Sequence, residues 1–212
     1  MRYSKEHKQD THDRIVRKAS VRLREKGAHG IGVADLMKEA GLTHGGFYAH
    51  FDSREALVIE AFSYAMDRSM AHWRKAAEQT SADKQLESTV DSYLTSVHRD
   101  DPGRGCALPT LGAEIARESP KTRKAFAAKL DEMIDMLADQ IPDVPRKTAR
   151  KQAIASLAGM MGAMVLARVA GTGEFSGEIL AAGREAVLDR ISGPKPGGKK
   201  AGKGAPKQAP AA

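Results

Sequence analysis

The chain carries one cysteine in 212 residues, which excludes an intramolecular disulfide and any multi-cysteine zinc site and fits a reducing compartment. Aromatic residues are scarce, 5% of the sequence, and most of them lie before position 65. The rest of the interior must therefore be built from Leu, Ala, Val, Ile and Met. Long hydrophobic runs are also missing. The longest uncharged segment, Gln152 to Ala167, is shorter than the ~20 residues of a membrane-spanning helix and rich in Ala and Gly. The opening MRYSKEHKQD has no apolar stretch of the kind a secretory signal needs. The expectation is a cytoplasmic protein with no membrane partner. There is no HExxH, no complete phosphate loop, no nucleophile elbow and no metal-ligand cluster of useful spacing. The sequence thus points away from an enzyme, with no catalytic residue, metal or cofactor expected. A helical-bundle enzyme built from scattered residues stays open as the weaker alternative.

What is present is charge, and its distribution matters more than its sum. The net charge is +7. Residues 1–60 hold 11 basic and 9 acidic groups, residues 61–192 hold 18 of each, and residues 193–212 hold 5 and none. Most of the basicity is therefore a tail, GPKPGGKKAGKGAPKQAPAA. That tail has no large apolar side chain to offset ordering entropy and reads as disordered. Non-specific nucleic-acid binding through it is one alternative function.

The other 192 residues read as helical. Apolar residues recur at helical spacing, and runs alternating at period two are few. A first helix spans about Lys8 to Lys26, with Gly27 as its stop. A short helix, about Val33 to Ala40, ends at Gly41. Thr43 then looks like the N-cap of a third short helix carrying Phe47, Tyr48, His50 and Phe51. A long helix follows from Arg54 towards Glu78. Further helices are expected near 82–98, 107–118, 120–140, 146–170 and 176–191, with Pro120 and Pro145 in first turns. The expected divisions are 1–55, 56–192 and the tail 193–212.

Two short helices around Gly41 have the spacing of a helix-turn-helix. Leu36, Ala40, Leu42, Phe47 and Phe51 form its apolar inside. The segment Ala40-Gly41-Leu42-Thr43, then Gly46-Phe47-Tyr48-Ala49-His50-Phe51 and Ser53-Arg54-Glu55-Ala56-Leu57, closely resembles the DNA-binding signature of the TetR family of transcriptional repressors. The resemblance implies an all-α fold: an N-terminal three-helix DNA-binding domain followed by a larger helical effector-binding and dimerisation bundle. It also implies residue roles. Thr43, Tyr48 and His50 correspond to phosphate or groove contacts, and His44, Gly45 and Gly46 to positions facing base edges. Arg54 corresponds to a basic phosphate clamp. Gly32 departs from the family, which often has Thr or Ser there, so one hydroxyl contact to phosphate is absent.

For the body, the resemblance implies a homodimer through the helices near 146–170 and 176–191, with double-stranded operator DNA as partner. Apolar 153–170 also allows a helix buried within one chain. A small-molecule effector of unknown identity is expected too, with Met66, Met70, Trp73, Tyr93 and Phe126 as candidate pocket residues. Cys106 follows Arg104 and Gly105 and precedes an expected helix. A cation and a helix N-terminus both favour thiolate, so Cys106 is a candidate electrophile or redox sensor, as a similar Gly-Cys stretch is in some members of that family. The expected mechanism has two states: the apo dimer holds a pseudo-palindromic operator, and the effector shifts the population to a geometry that releases it.

Overall fold

A computed structural model describes residues 5–192 of the chain; the tail expected to be disordered lies outside the described residues. Helix α1 (Lys5–Lys26) buries Ile15, Val16, Ala19 and Leu23 along one face, following their spacing in the sequence. It stops at Gly27, whose φ of +85° is left-handed backbone that a side chain would strain. Helix α2 (Val33–Glu39) starts from Gly32, which makes no side-chain cap bond.

The next element departs from expectation. His44–Ala49 is a 3-10 helix, and Thr43 makes no side-chain capping bond to it. Two adjacent glycines weaken α-helix propensity, so a tighter, shorter winding results. Phe47 and Phe51 anchor the segment: both are buried, and their rings stack with centroids 5.4 Å apart. Burial of each phenyl ring contributes roughly 1.5–3 kcal/mol. Ser53 then caps α3 (Arg54–Ala77), accepting the Ala56 N–H at 3.1 Å.

Helix α3 packs on α1, on α4 (Gln85–Tyr93) and on α7 (Pro120–Asp139). Phe62 on α3 and Phe126 on α7 stack with ring centroids 3.4 Å apart. The single helix expected over 82–98 is broken. Ala82–Lys84 is 3-10, α4 spans Gln85–Tyr93, and α5 is the short Ser96–Asp100. Leu94 leaves the helix, and Thr95 restarts it by accepting the His98 N–H on its hydroxyl, a local bond that competes with helix continuation. Helices α6 (Leu108–Ile115), α7 (Pro120–Asp139), α8 (Arg146–Ala170) and α9 (Glu174–Ser192) follow near their expected places. Ser119 caps α7 and Pro120 opens it.

Helix α8 packs against α6, α7 and α9. It is long and apolar enough, by length and composition, to cross a bilayer, which the uncharged segment alone did not suggest. It is not buried within one chain. Leu166 is 59% exposed and Val169 82%, and Ile154 and Val165 share that side of the helix. On α9, Phe175 in the first turn is 65% exposed.

Candidate functional site

Phe47 and Phe51 point inward, so the intervening positions of the 3-10 helix point out. Thr43, His44, Gly45 and Tyr48 are exposed, Tyr48 at 69%. Since Thr43 caps nothing, its hydroxyl is free to reach a phosphate. His44 and Tyr48 sit edge to face, ring centroids 6.4 Å apart, and form one raised patch. A Cβ added at Gly45 would meet nothing within 4 Å, which leaves a low point in that surface beside the patch.

His50 and Arg54 are placed differently from the rest. His50 is half-buried, and its Nδ1 is buried without a hydrogen-bond partner among the described residues. Burial, then His12 and Lys8, lowers its pKa. The ring lies 6.1 Å from His12, which itself stacks on Phe51 and bonds Glu60 at 2.6 Å. Arg54, half-buried at the start of α3, donates from Nη2 to the Ala28 carbonyl. It therefore ties α3 to the α1–α2 turn, rather than standing free at the surface.

That turn is held from the body as well. The Glu114 carboxylate on α6 accepts the Ala28 N–H at 2.6 Å, and a Cβ at Gly27 would come within 2.7 Å of it. His29 meets Glu118 at 2.6 Å. Arg24, buried in α1, donates to the Gly105 carbonyl at 3.0 Å and to Ser20 Oγ at 3.1 Å. Burial foremost lowers its pKa to about 10. These contacts link the front end to the loop and helix at 101–118. Sequence reading missed all of them, because the partners lie about 80 to 90 positions apart. The one available signal was Glu114, the sole charge in LPTLGAEI.

The residues proposed for an effector divide between two cavities and the core. Phe126 lines an apolar cavity of about 420 Å³ between α6, α7 and α8, with Leu108, Ile115, Leu130 and Leu157; its only charged lining residue is Arg123. Trp73, Tyr93 and Cys106 line a second, polar cavity of about 320 Å³. Met66 and Met70 are buried and line neither.

Cys106 does not have the activated thiol expected of it. It is buried, and that burial pushes its pKa up to about 11. The Leu108 backbone, Arg24 and Arg168 pull the other way but lose to desolvation. Its N–H donates to His98 Nε2 at 2.9 Å, and His98 Nδ1 lies 2.8 Å from the Tyr93 carbonyl. Nε2 accepts, so Nδ1 carries the proton and His98 is neutral. Burial lowers the His98 pKa to about 4.

With this geometry established, comparison identifies the chain. Residues 15–61, from α1 into the start of α3, match the family model of bacterial regulatory proteins of the tetR family. The chain belongs to the TetR family. Residues 82–175 match the C-terminal domain of LmrA/YxaF-like transcriptional regulators. TetR-family proteins are transcriptional regulators, not enzymes; they bind operator DNA, dimerise and bind small-molecule effectors. A helix-turn-helix transcriptional regulator of Mycobacterium tuberculosis is 28% identical over 169 residues, which cover 76% of this chain and 86% of that protein. A TetR regulator from Chloroflexus aurantiacus superimposes with a TM-score of 0.72 at 23% identity, over 86% of this chain and 96% of that one. FadR of Bacillus subtilis, in complex with stearoyl-CoA, has a TM-score of 0.65 at 15% identity over 86% and 99%. Both structures are alike in fold.

Proposed function

We propose that this TetR-family protein is a dimeric repressor that leaves its operator when a small apolar effector fills the cavity between α6, α7 and α8. The observation that carries the reading is the double role of α6. Its Leu108 and Ile115 line the cavity, and its Glu114 holds the Ala28 N–H beside the DNA-reading segment. A ligand that prefers a shifted α6 also prefers a shifted front end, which supplies the differential affinity that release requires. The near-absence of polar lining favours an apolar ligand with at most one anionic group, for Arg123. FadR, of the same fold, is in complex with stearoyl-CoA, which shares with such a ligand only its long apolar acyl chain.

On DNA, His44 and Tyr48 face the bases and groove wall, with Gly45 and Gly46 allowing close approach, and Thr43 binds phosphate. Arg54 acts mainly by positioning α3. His50 supports the segment from behind, not by contacting DNA. The dimer forms through the exposed faces of α8 and α9, and the protein works in the cytoplasm. Release by Cys106 modification is the less favoured route, because the thiol is buried and its pKa is raised.

The test is fluorescence anisotropy of the full chain on DNA from upstream of its own gene, with scrambled DNA at the same salt. Site-specific recognition gives at least about a thousandfold tighter binding to the native fragment. Equal binding to native and scrambled DNA would assign the affinity to the basic tail instead.

A further inference from the structure

Helix α9 fixes where the chain leaves the body. In its first turn Ser176 Oγ accepts from Arg99 on α5 at 2.9 Å, and α5 leads into the loop that Arg24 of α1 holds through the Gly105 carbonyl. In its last turns Leu188 and Ile191 lie beside Leu86 of α4 and beside Ile141 and Pro142, which follow α7. Helix α4 in turn meets the far end of α3, where the Ala76 carbonyl accepts from Ser88 Oγ at 3.3 Å. At the other end of α3, Arg54 donates to the Ala28 carbonyl, in the turn before the DNA-reading helices. Helix α3 has 24 residues and is therefore roughly 36 Å long. The DNA-reading segment and the end of α9 thus lie at opposite ends of the protein.

The twenty residues that follow α9, 193–212, hold Lys195, Lys199, Lys200, Lys203 and Lys207 and no acidic residue. They carry +5 of the net charge of +7. Twenty residues fully extended span at most about 70 Å, and about half of that is used in crossing the length of α3 to the reading end. A second duplex arriving at the end of α9 meets all five lysines without that crossing. Duplex DNA is the partner their chemistry fits. It presents one negative charge per about 1.7 Å of axis, and each phosphate that a lysine neutralises releases counterions. A bilayer fits less well. The segment has no aromatic, Leu, Ile, Val or Met side chain to act as the second, apolar signal that stable membrane anchoring takes.

We infer that the protein has a second DNA-binding end: the five lysines beyond α9 take a second duplex, or a distant stretch of the same one, without sequence preference, so that the protein bridges two DNA segments. The inference rests on the DNA-binding reading of the other end. Once one stretch is held there, further stretches of the same molecule are present at high local concentration. Contacts at the far end that are weak in free solution then become effective.

The experiment loads the full chain on bead-bound DNA from upstream of its own gene, at low salt, and then offers a labelled scrambled duplex. Retained protein and captured duplex are measured separately. The expected result is capture of the second duplex by the retained chain. Five neutralised phosphates predict a fall of roughly 500-fold in the affinity of that second contact for a fourfold rise in salt. The full-length variant Lys195→Gln/Lys199→Gln/Lys200→Gln/Lys203→Gln/Lys207→Gln should be retained on the first duplex within twofold of wild type and capture at least tenfold less of the second. Retained protein without capture, or undiminished capture by the variant, would overturn the inference. So would a variant retained tenfold less on the first duplex, which would assign the lysines to the operator contact. Equal capture of phosphatidylserine vesicles would make them a general anion anchor and overturn it too. Loss of retention by wild type itself would instead mark failure of the operator reading, and the inference would fall with it.

Discussion

Glu114 and Ala28 are 86 positions apart, and the Glu114 carboxylate accepts the Ala28 N–H at 2.6 Å. One hydrogen bond thus spans from the wall of the apolar cavity to the turn before the DNA-reading helices. Glu114→Ala leaves a buried N–H without an acceptor, at a cost of about 1–3 kcal/mol. The urea midpoint should fall accordingly, and exchange of the Ala28 amide should quicken. Glu114→Gln keeps a carbonyl acceptor and should recover most of the loss. If Glu114→Ala unfolds at the wild-type midpoint, the bond carries no coupling.

His44 and Thr43 are adjacent and exposed, yet the proposed roles differ. Loss of a side chain that reads a base edge costs roughly 1–3 kcal/mol and relaxes preference at one base pair, whereas loss of a phosphate contact weakens all sequences alike. His44→Ala should therefore flatten specificity at one symmetric position of the operator. Thr43→Ala should lower affinity for native and scrambled DNA by a similar factor. A selection from randomised duplexes with each variant distinguishes the two patterns.

The sequence made the helix order and the DNA-reading segment legible because both rest on local spacing. Ile15, Ala19 and Leu23 lie three or four apart, and Gly27 and Gly41 end their helices through positive φ. Cys106 was misread for the opposite reason. Its neighbours in sequence, Arg104 and the start of α6, favour thiolate, but the desolvation that overrides them comes from its packing in the tertiary structure. The break at Leu94 was missed because the apolar spacing continues through it, while a single Thr95 hydroxyl redirects the backbone. Glu114, Arg24 and the division of the candidate pocket residues between two cavities depend on contacts at long range, which no periodicity reports.

The thiol itself gives a kinetic prediction. With a pKa near 11 against an ordinary 9.0, native Cys106 at pH 8 holds about a hundredfold less thiolate than an unperturbed thiol. Reaction with a disulfide reagent such as Ellman's should be at least that much slower than for the unfolded chain. It should accelerate on addition of guanidinium. A native thiol that reacts as quickly as the unfolded one would restore Cys106 as a sensor.

His98 predicts a pH dependence with a definite sign. Its pKa falls from about 6.5 to about 4 on folding, foremost through burial, so between those values the unfolded chain binds more protons. The contribution of neutral His98 to stability is complete above pH 6.5 and is lost progressively as pH drops towards 4. Protonation would also remove the acceptor at Nε2 from the Cys106 N–H. The urea midpoint of wild type should therefore fall between pH 7 and pH 5 by more than that of His98→Asn. Parallel pH profiles for the two proteins would show that His98 titrates normally.

The exposed apolar face of α8 makes the last prediction, because it costs free energy in a monomer and gains it in a dimer. Leu166 and Val169 are among the most exposed large hydrophobic residues, and Ile154 extends the face towards the apolar cavity. A carboxylate at such a face must be desolvated whenever the face is covered, at a cost of several kcal/mol. Leu166→Asp should therefore shift the species seen by sedimentation from twice 22.8 kDa to 22.8 kDa at micromolar concentration while leaving the helical circular dichroism intact. A single reading unit covers one half-site, whereas a dimer covers two about 34–36 Å apart. Operator affinity should consequently fall by orders of magnitude in that variant while binding to scrambled DNA barely changes. A Leu166→Asp protein that sediments as a dimer would place the interface on another face.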